Sequence, residues 1–158
     1  MKIFKIIAFV IIAFSFTVTA VNAQTLKEKF DTGKKAFYSD DFETANKFFS
    51  EILNMSSDNY EICYYKGLIY FIYFDYDKSI IELSKSIDMN KKNADAFYNR
   101  GIVYERQEKY LDAVNDFSKA IKLNKNYLDA YYGRATDYEM LKENSKAIDD
   151  YTVIINMK

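Results

Sequence analysis

The sequence contains no histidine, no tryptophan and no proline, and it has one cysteine and four glycines in 158 residues. Without histidine the chain lacks the commonest general base and the commonest metal ligand. Cys63 has no second cysteine for an intramolecular disulfide. It falls on the apolar side of a helical pattern, where a thiol behaves as a small buried hydrophobe. Gly33, Gly67 and Gly101 lie 34 residues apart, so they form no phosphate-binding loop. The carboxylates at Asp40-Asp41 and at Asp75 and Asp77 lack the glycine and terminal glutamate of a calcium loop. The formal net charge is −1, too balanced to point to nucleic acid or to an anionic membrane. These gaps assign no catalytic residue, no cofactor and no metal site, and the expectation is a non-enzymatic protein.

Hydrophobic runs are short as well. Lys2 and Lys5 precede an apolar run from Ile6 to Phe16, and Val21-Asn22-Ala23 supplies small residues at −3 and −1. This order predicts a secretory signal over residues 1–23, cleaved after Ala23. The strict run has 11 residues, where a membrane span needs about 20. Extension through Thr17–Val21 keeps a retained N-terminal anchor open as an alternative. No cysteine follows the run, which argues against a lipoprotein. Residues 24–158 would then carry 20 basic against 23 acidic residues, because the segment holds two of the 22 Lys+Arg and none of the 23 Asp+Glu. The predicted location is outside the cytoplasm, foremost a Gram-negative periplasm, with an anchored or a secreted form as alternatives.

What the sequence has in abundance is repetition. Tyr64, Tyr98 and Tyr132 lie 34 residues apart, as do Tyr70, Tyr104 and Tyr138. A fixed period of this length marks an array of identical supersecondary units. Four repeats follow without a gap: 26–59, 60–93, 94–127 and 128–158. Apolar residues recur inside each at steps of three and four, the helical period. In the third repeat the run Ala96, Phe97, Gly101, Tyr104 and the run Tyr110, Ala113, Phe117, Ala120, Ile121 are separated at Glu108-Lys109. Each repeat is therefore expected to be a helix, a tight turn and a second, antiparallel helix. Position 8 is Gly33, Gly67, Gly101 and Ala135, and position 20 is Ala45, Ser79, Ala113 and Ala147. Small residues at these places predict close helix approach. Phe49, Leu83, Phe117 and Tyr151 at position 24 fill the space between.

This pattern resembles the tetratricopeptide repeat (TPR) family. The third repeat carries it most fully, in Ala94-Asp-Ala-Phe-Tyr-Asn-Arg-Gly101, Tyr104, Tyr110, Ala113, Phe117 and Ala120. The resemblance extends over Leu26–Lys158 and implies an all-α, right-handed superhelix of four repeats whose first helices line a concave face. Two positions depart from it. The proline often found at position 32 is replaced by Ser57, Lys91 and Lys125, and the first repeat has Lys29 and Ala36 at positions 4 and 11. Asn90 and Asn124 are expected to end their helices in left-handed geometry instead.

Positions 7 and 23 change together: Thr32/Phe48, Lys66/Glu82, Arg100/Asp116 and Arg134/Asp150. Three pairs are opposite charges, which predicts an ion pair between packed helices, within a repeat or between neighbours.

The face expected to receive a partner is formed by Phe30, Tyr64, Tyr98 and Tyr132 at position 5. Phe37, Tyr65 and Phe71 extend it at its N-terminal end, and Asn99, Glu105 and Glu139 at its acidic C-terminal end. Tyrosine joins apolar area to a polar tip, which suits an interface. The competing reading is that position 5 packs on the neighbouring repeat. Some family members clamp acidic chaperone C-termini with Lys and Asn. Here only Lys27 and Asn99 match, so an acidic peptide is not the expected ligand. Glu105 with Asp137 or Glu139 has the spacing of an acid–base pair. Charges at such intervals normally form a solvated helix face, and no nucleophile accompanies them. The expected function is a protein–protein interaction adaptor of the cell envelope; the alternative is a glycan- or cell-wall-binding module using the tyrosine ladder. Val153, Ile154 and Ile155 in the last helix are expected to be partly uncovered, which raises self-association or docking.

Overall fold

The computed structural model describes residues 25–157. The signal proposed for residues 1–23 lies outside them. Among the described residues all regular structure is helical, in eight helices: α1 (25–38), α2 (Phe42–Leu53), α3 (Tyr60–Ile72), α4 (Tyr76–Met89), α5 (Ala94–Arg106), α6 (Tyr110–Leu123), α7 (Leu128–Met140) and α8 (Asn144–Asn156). Among them no helix is long and apolar enough to cross a membrane. The chain divides into two compact units after Met55.

Helix starts follow local chemistry. Asn59 and Asn93 accept hydrogen bonds from the backbone N–H groups of Glu61 and Ala96, and Asp41 and Asp75 do the same for Thr44 and Lys78. Each side chain satisfies one of the donors that a helix N-terminus leaves unpaired.

The turn inside each repeat is built alike. Asp40, Phe74, Glu108 and Lys142, all at position 15, have φ near +60°. The next residue returns its N–H to the carbonyl at position 11, in Asp41 to Ala36 (3.0 Å), Asp75 to Tyr70 (2.9 Å), Lys109 to Tyr104 (2.9 Å) and Glu143 to Tyr138 (2.8 Å). This six-residue closure is the Schellman ending, which requires a left-handed residue at its corner. None of the four corners is glycine, although a side chain there is strained. The left-handed endings expected at Asn90 and Asn124 are not found. Their φ values of −137° and −131° are extended, because the chain there runs on towards the next repeat instead of folding straight back.

In the N-terminal unit α1 packs on α2 through Phe30 and Phe49, whose ring centroids are 6.1 Å apart. Lys29, which breaks the apolar pattern, is neutralised by Glu51 at 2.6 Å.

In the C-terminal unit α3 packs on α4, α5 on α6 and α7 on α8, while α4–α5 and α6–α7 contacts join the repeats. Phe117 lies at the centre and is fully buried. A Cβ on Gly101 would come within 2.8 Å of its ring from one side, and a Cβ on Gly133 within 2.8 Å from the other. Gly67 meets Leu83 in the same way, at 2.6 Å. Ser79, the polar exception at position 20, donates to the Gly67 carbonyl at 2.8 Å. Cys63 is fully buried, and burial is the leading cause of its raised thiol pKa.

The covarying charges meet inside single repeats. Arg100 Nε and Nη2 donate to Asp116 at 2.7 and 2.9 Å, and Arg134 donates likewise to Asp150 at 2.8 and 2.6 Å. The third guanidinium nitrogen reaches back one repeat, to Ser84 (2.8 Å) and Ser118 (2.9 Å). Aromatic rings flank each guanidinium, Phe97 and Tyr104 for Arg100, Tyr131 and Tyr138 for Arg134. In the second repeat Ser57 stands between the pair: Lys66 Nζ donates to its hydroxyl at 3.0 Å, and that hydroxyl contacts Glu82 at 3.3 Å.

Candidate functional site

The first helices of the C-terminal unit touch one another, α3 with α5 and α5 with α7. Their shared face is tied by side chains. Asn99 Nδ2 on α5 donates to the Tyr64 hydroxyl on α3 at 3.1 Å, and also to the Asp95 carbonyl at 2.8 Å. Tyr127, at the start of α7, donates from its hydroxyl to Asp95 Oδ1 at 2.8 Å. Its ring lies 4.9 Å from that of Tyr98. Burial raises the phenol pKa of both Tyr64 and Tyr127 above the ordinary value, and Asp95 adds to both.

The candidate residues divide by environment. Phe30 is 6% exposed and packs on Phe49, so it belongs to the core of the N-terminal unit rather than to an open face. Phe37 is half-buried, with its ring edge-on to Tyr38 and Phe42. Tyr64, Tyr65, Phe71 and Tyr98 are half-buried: Tyr65 leans edge-on against Tyr64, Phe71 on Tyr76, and Tyr98 on Phe117. Position 5 therefore also packs on its surroundings, and only Tyr132 is widely open, at 59%. Beside it the Tyr151 hydroxyl donates to Glu139 at 3.2 Å.

At the C-terminal end of α5 and α7 the face sinks into a cleft of about 400 Å³. Glu105, Glu108, Tyr110, Asp137 and Glu139 line it, with Arg106 the single basic side chain. Asp137 is only 1% exposed, and neither carboxylate oxygen has a hydrogen-bond partner. Burial, with the charge of Glu105 behind it, raises the Asp137 carboxyl from 3.8 to about 7. Burial also raises Glu105, against the opposing pull of Arg106. The solvated-face reading of these carboxylates fails at Asp137, which helix packing turns inward. Among the described residues no group of His, Cys, Asp and Glu has the makings of a metal site.

Residues 94–127 match the tetratricopeptide repeat family model. This stretch, the third repeat, is a tetratricopeptide repeat. The fold of the chain is similar to that of MamA, known from a crystal structure, at a TM-score of 0.69 and 19% identity, covering 89% of this chain and 82% of that one. The first TPR domain of Spaghetti (RPAP3), solved bound to the HSP90 peptide SRMEEVD, is 28% identical at a TM-score of 0.61, covering 66% of this chain and 82% of that one. The Arabidopsis OM64 TPR domain is 22% identical at a TM-score of 0.61, covering 65% and 84%. No curated protein sequence matches the chain.

Within the TPR pattern two residues of this face went unassigned as binding residues. Tyr127 stands at the cap position held by Asn59 and Asn93 in the preceding repeats. Asp137 stands at position 10, where the second and third repeats carry the buried Ile69 and Val103. In both cases the signal was a break in the internal alignment. Such a break shows that something changed but not which way the side chain turns.

Proposed function

We propose that this protein is a non-enzymatic adaptor that holds a segment of a protein partner against the first-helix face of α3, α5 and α7. The observation that carries this reading is the continuity of that face, on which hydrogen bonds tie α5 to Tyr64 of α3 and to Tyr127 at the start of α7, and Tyr132 stands open against Tyr151, which donates to Glu139. Tyr64, Tyr65, Phe71, Tyr98, Asn99, Glu105, Tyr132 and Glu139 would form the contact, and Phe37 would serve the same purpose in the N-terminal unit. A similar fold holding a peptide, in RPAP3, supports the mode. That peptide is itself acidic, whereas Asp95, Asp129, Glu105 and Glu139 make this face acidic. The fitting partner segment is therefore basic or rich in amides. The signal pattern of residues 1–23 supports a role in the cell envelope.

A photo-crosslinking residue at Tyr132, compared with one at the exposed Lys119 on α6, tests the proposal. Crosslinks to one protein from Tyr132 alone support the adaptor. Equal yields from both places move the contact off this face. Crosslinking to glycan rather than protein transfers the reading to a carbohydrate-binding module. The exposed Ile148 and Ile155 on α8 support a second proposal, self-association through that helix. A light-scattering dilution series showing a monomer at every concentration removes it.

A further inference from the structure

A carboxylate with no partner at a core position is costly. Burying a charge without compensation is among the most unfavourable substitutions a fold can carry. The second and third repeats fill the same position with Ile69 and Val103, so the repeat architecture does not require an acid there. Asp137 is nevertheless almost wholly shielded from solvent, it is one of the residues at the wall of the acidic cleft, and neither of its oxygens meets a donor of the chain. Glu105 stands across from it on α5, near enough for its charge to act on Asp137. Tyr110 adds an aromatic ring and Met140 an apolar wall.

We infer that the cleft between α5 and α7 is a subsite for the side chain of an arginine in the partner segment, with Asp137 and Glu105 receiving the guanidinium. This rests on the adaptor reading of the same face. A guanidinium offers donors in a planar fork that matches carboxylate oxygens, and it stacks on aromatic rings such as Tyr110. Its aliphatic stem covers apolar surface such as Met140. The compact ammonium of lysine is a point charge without the planar fork that pairs with two carboxylates and lies flat on a ring. Among the lining residues the carboxylates of Glu105, Glu108, Asp137 and Glu139 outnumber the one cation, Arg106, so the cleft favours a positive guest.

The test is a nuclear magnetic resonance titration of the full chain with acetyl-Ala-Arg-Ala-amide, beside the same peptide with citrulline, which keeps the shape of arginine without its charge. The expected result is saturable shifts confined to residues 105–110 and 136–140, with the citrulline peptide at least tenfold weaker. Asp137→Asn and Glu105→Gln should each weaken the arginine peptide at least tenfold while circular dichroism shows the fold retained. Equal binding of the two peptides, or unchanged binding by both variants, overturns the inference. Binding seen only after Arg106→Gln also overturns it, because the chain's own arginine is then the guest. A protein crosslinked at Tyr132 with no arginine response leaves the adaptor standing and the subsite refuted. An arginine response without any crosslinked partner refutes the adaptor and leaves the cleft as a guanidinium site.

Discussion

Asp137 is the residue whose chemistry departs furthest from its surroundings. Its carboxyl titrates near 7 in the folded chain against 3.8 ordinarily, so the fold favours the protonated form. Between about pH 4 and 7 the unfolded chain releases this proton while the folded chain keeps it, and stability falls as the pH rises. Above about 7 both states are ionised and the penalty is complete, at most about 4 kcal/mol for a shift of that size. Asp137→Val, which restores the residue type of Val103, should therefore raise the melting temperature strongly at pH 8 and only slightly at pH 4. Thermal melts of both proteins across that range check it. A stabilisation independent of pH would show that packing, not charge, separates them.

Helix pairs owe their spacing to a few small residues and their register to a few charges. Gly101 and Gly133 hold the Phe117 ring between two helix backbones, with no room for a methyl group on either side. Gly101→Ala improves helix propensity by up to about 1 kcal/mol. Forcing the buried ring aside costs more, and the net expectation is a loss of about 1–2 kcal/mol in denaturant unfolding. The arginine–aspartate pairs act at the same scale. Hydrogen bonding to Asp150 keeps the Arg134 guanidinium above its ordinary pKa, and Ser118 links the pair to the preceding repeat. Arg134→Asp leaves two carboxylates facing each other in a shielded place and should cost about 3 kcal/mol or more. The exchanged protein Arg134→Asp/Asp150→Arg should recover part of that loss, but not the Ser118 bond or the flanking rings. If the single and exchanged variants melt alike, the pairing does not set the register.

Within the C-terminal unit each repeat leans on its neighbours, α4 on α5 and α6 on α7. The unit from Ser56 onward contains its own core, built around Cys63, Ile69, Leu83, Phe117 and Ala130. A chain of residues 56–158 should therefore keep a helical circular dichroism spectrum and a cooperative melt. Removing residues 1–93 instead should cost cooperativity, because it strips the α4 face from α5. If residues 56–158 prove unfolded, the N-terminal unit contributes stability that its separate core does not reveal.

The repeat period, the two helices per repeat and the small residues at positions 8 and 20 were legible in the sequence, because helical periodicity and steric need recur in phase and reinforce one another four times over. The pairing of positions 7 and 23 was legible for the same reason, since the repeats align against each other. Left-handed corners were not legible: Asp40, Phe74, Glu108 and Lys142 share no side-chain chemistry, and backbone closure alone demands their φ. Nor was the fate of the aromatics. Phe30 and Tyr132 occupy one repeat position, yet one is sealed in a core and the other stands open. Exposure depends on which neighbour covers the ring. Sequence spacing by itself determined that Asp137 and Glu105 lie on first helices of adjacent repeats. Only tertiary packing decided that Asp137 is shielded from water at the wall of an acidic cleft, where a carboxylate that water would have left ordinary becomes a group in need of a partner.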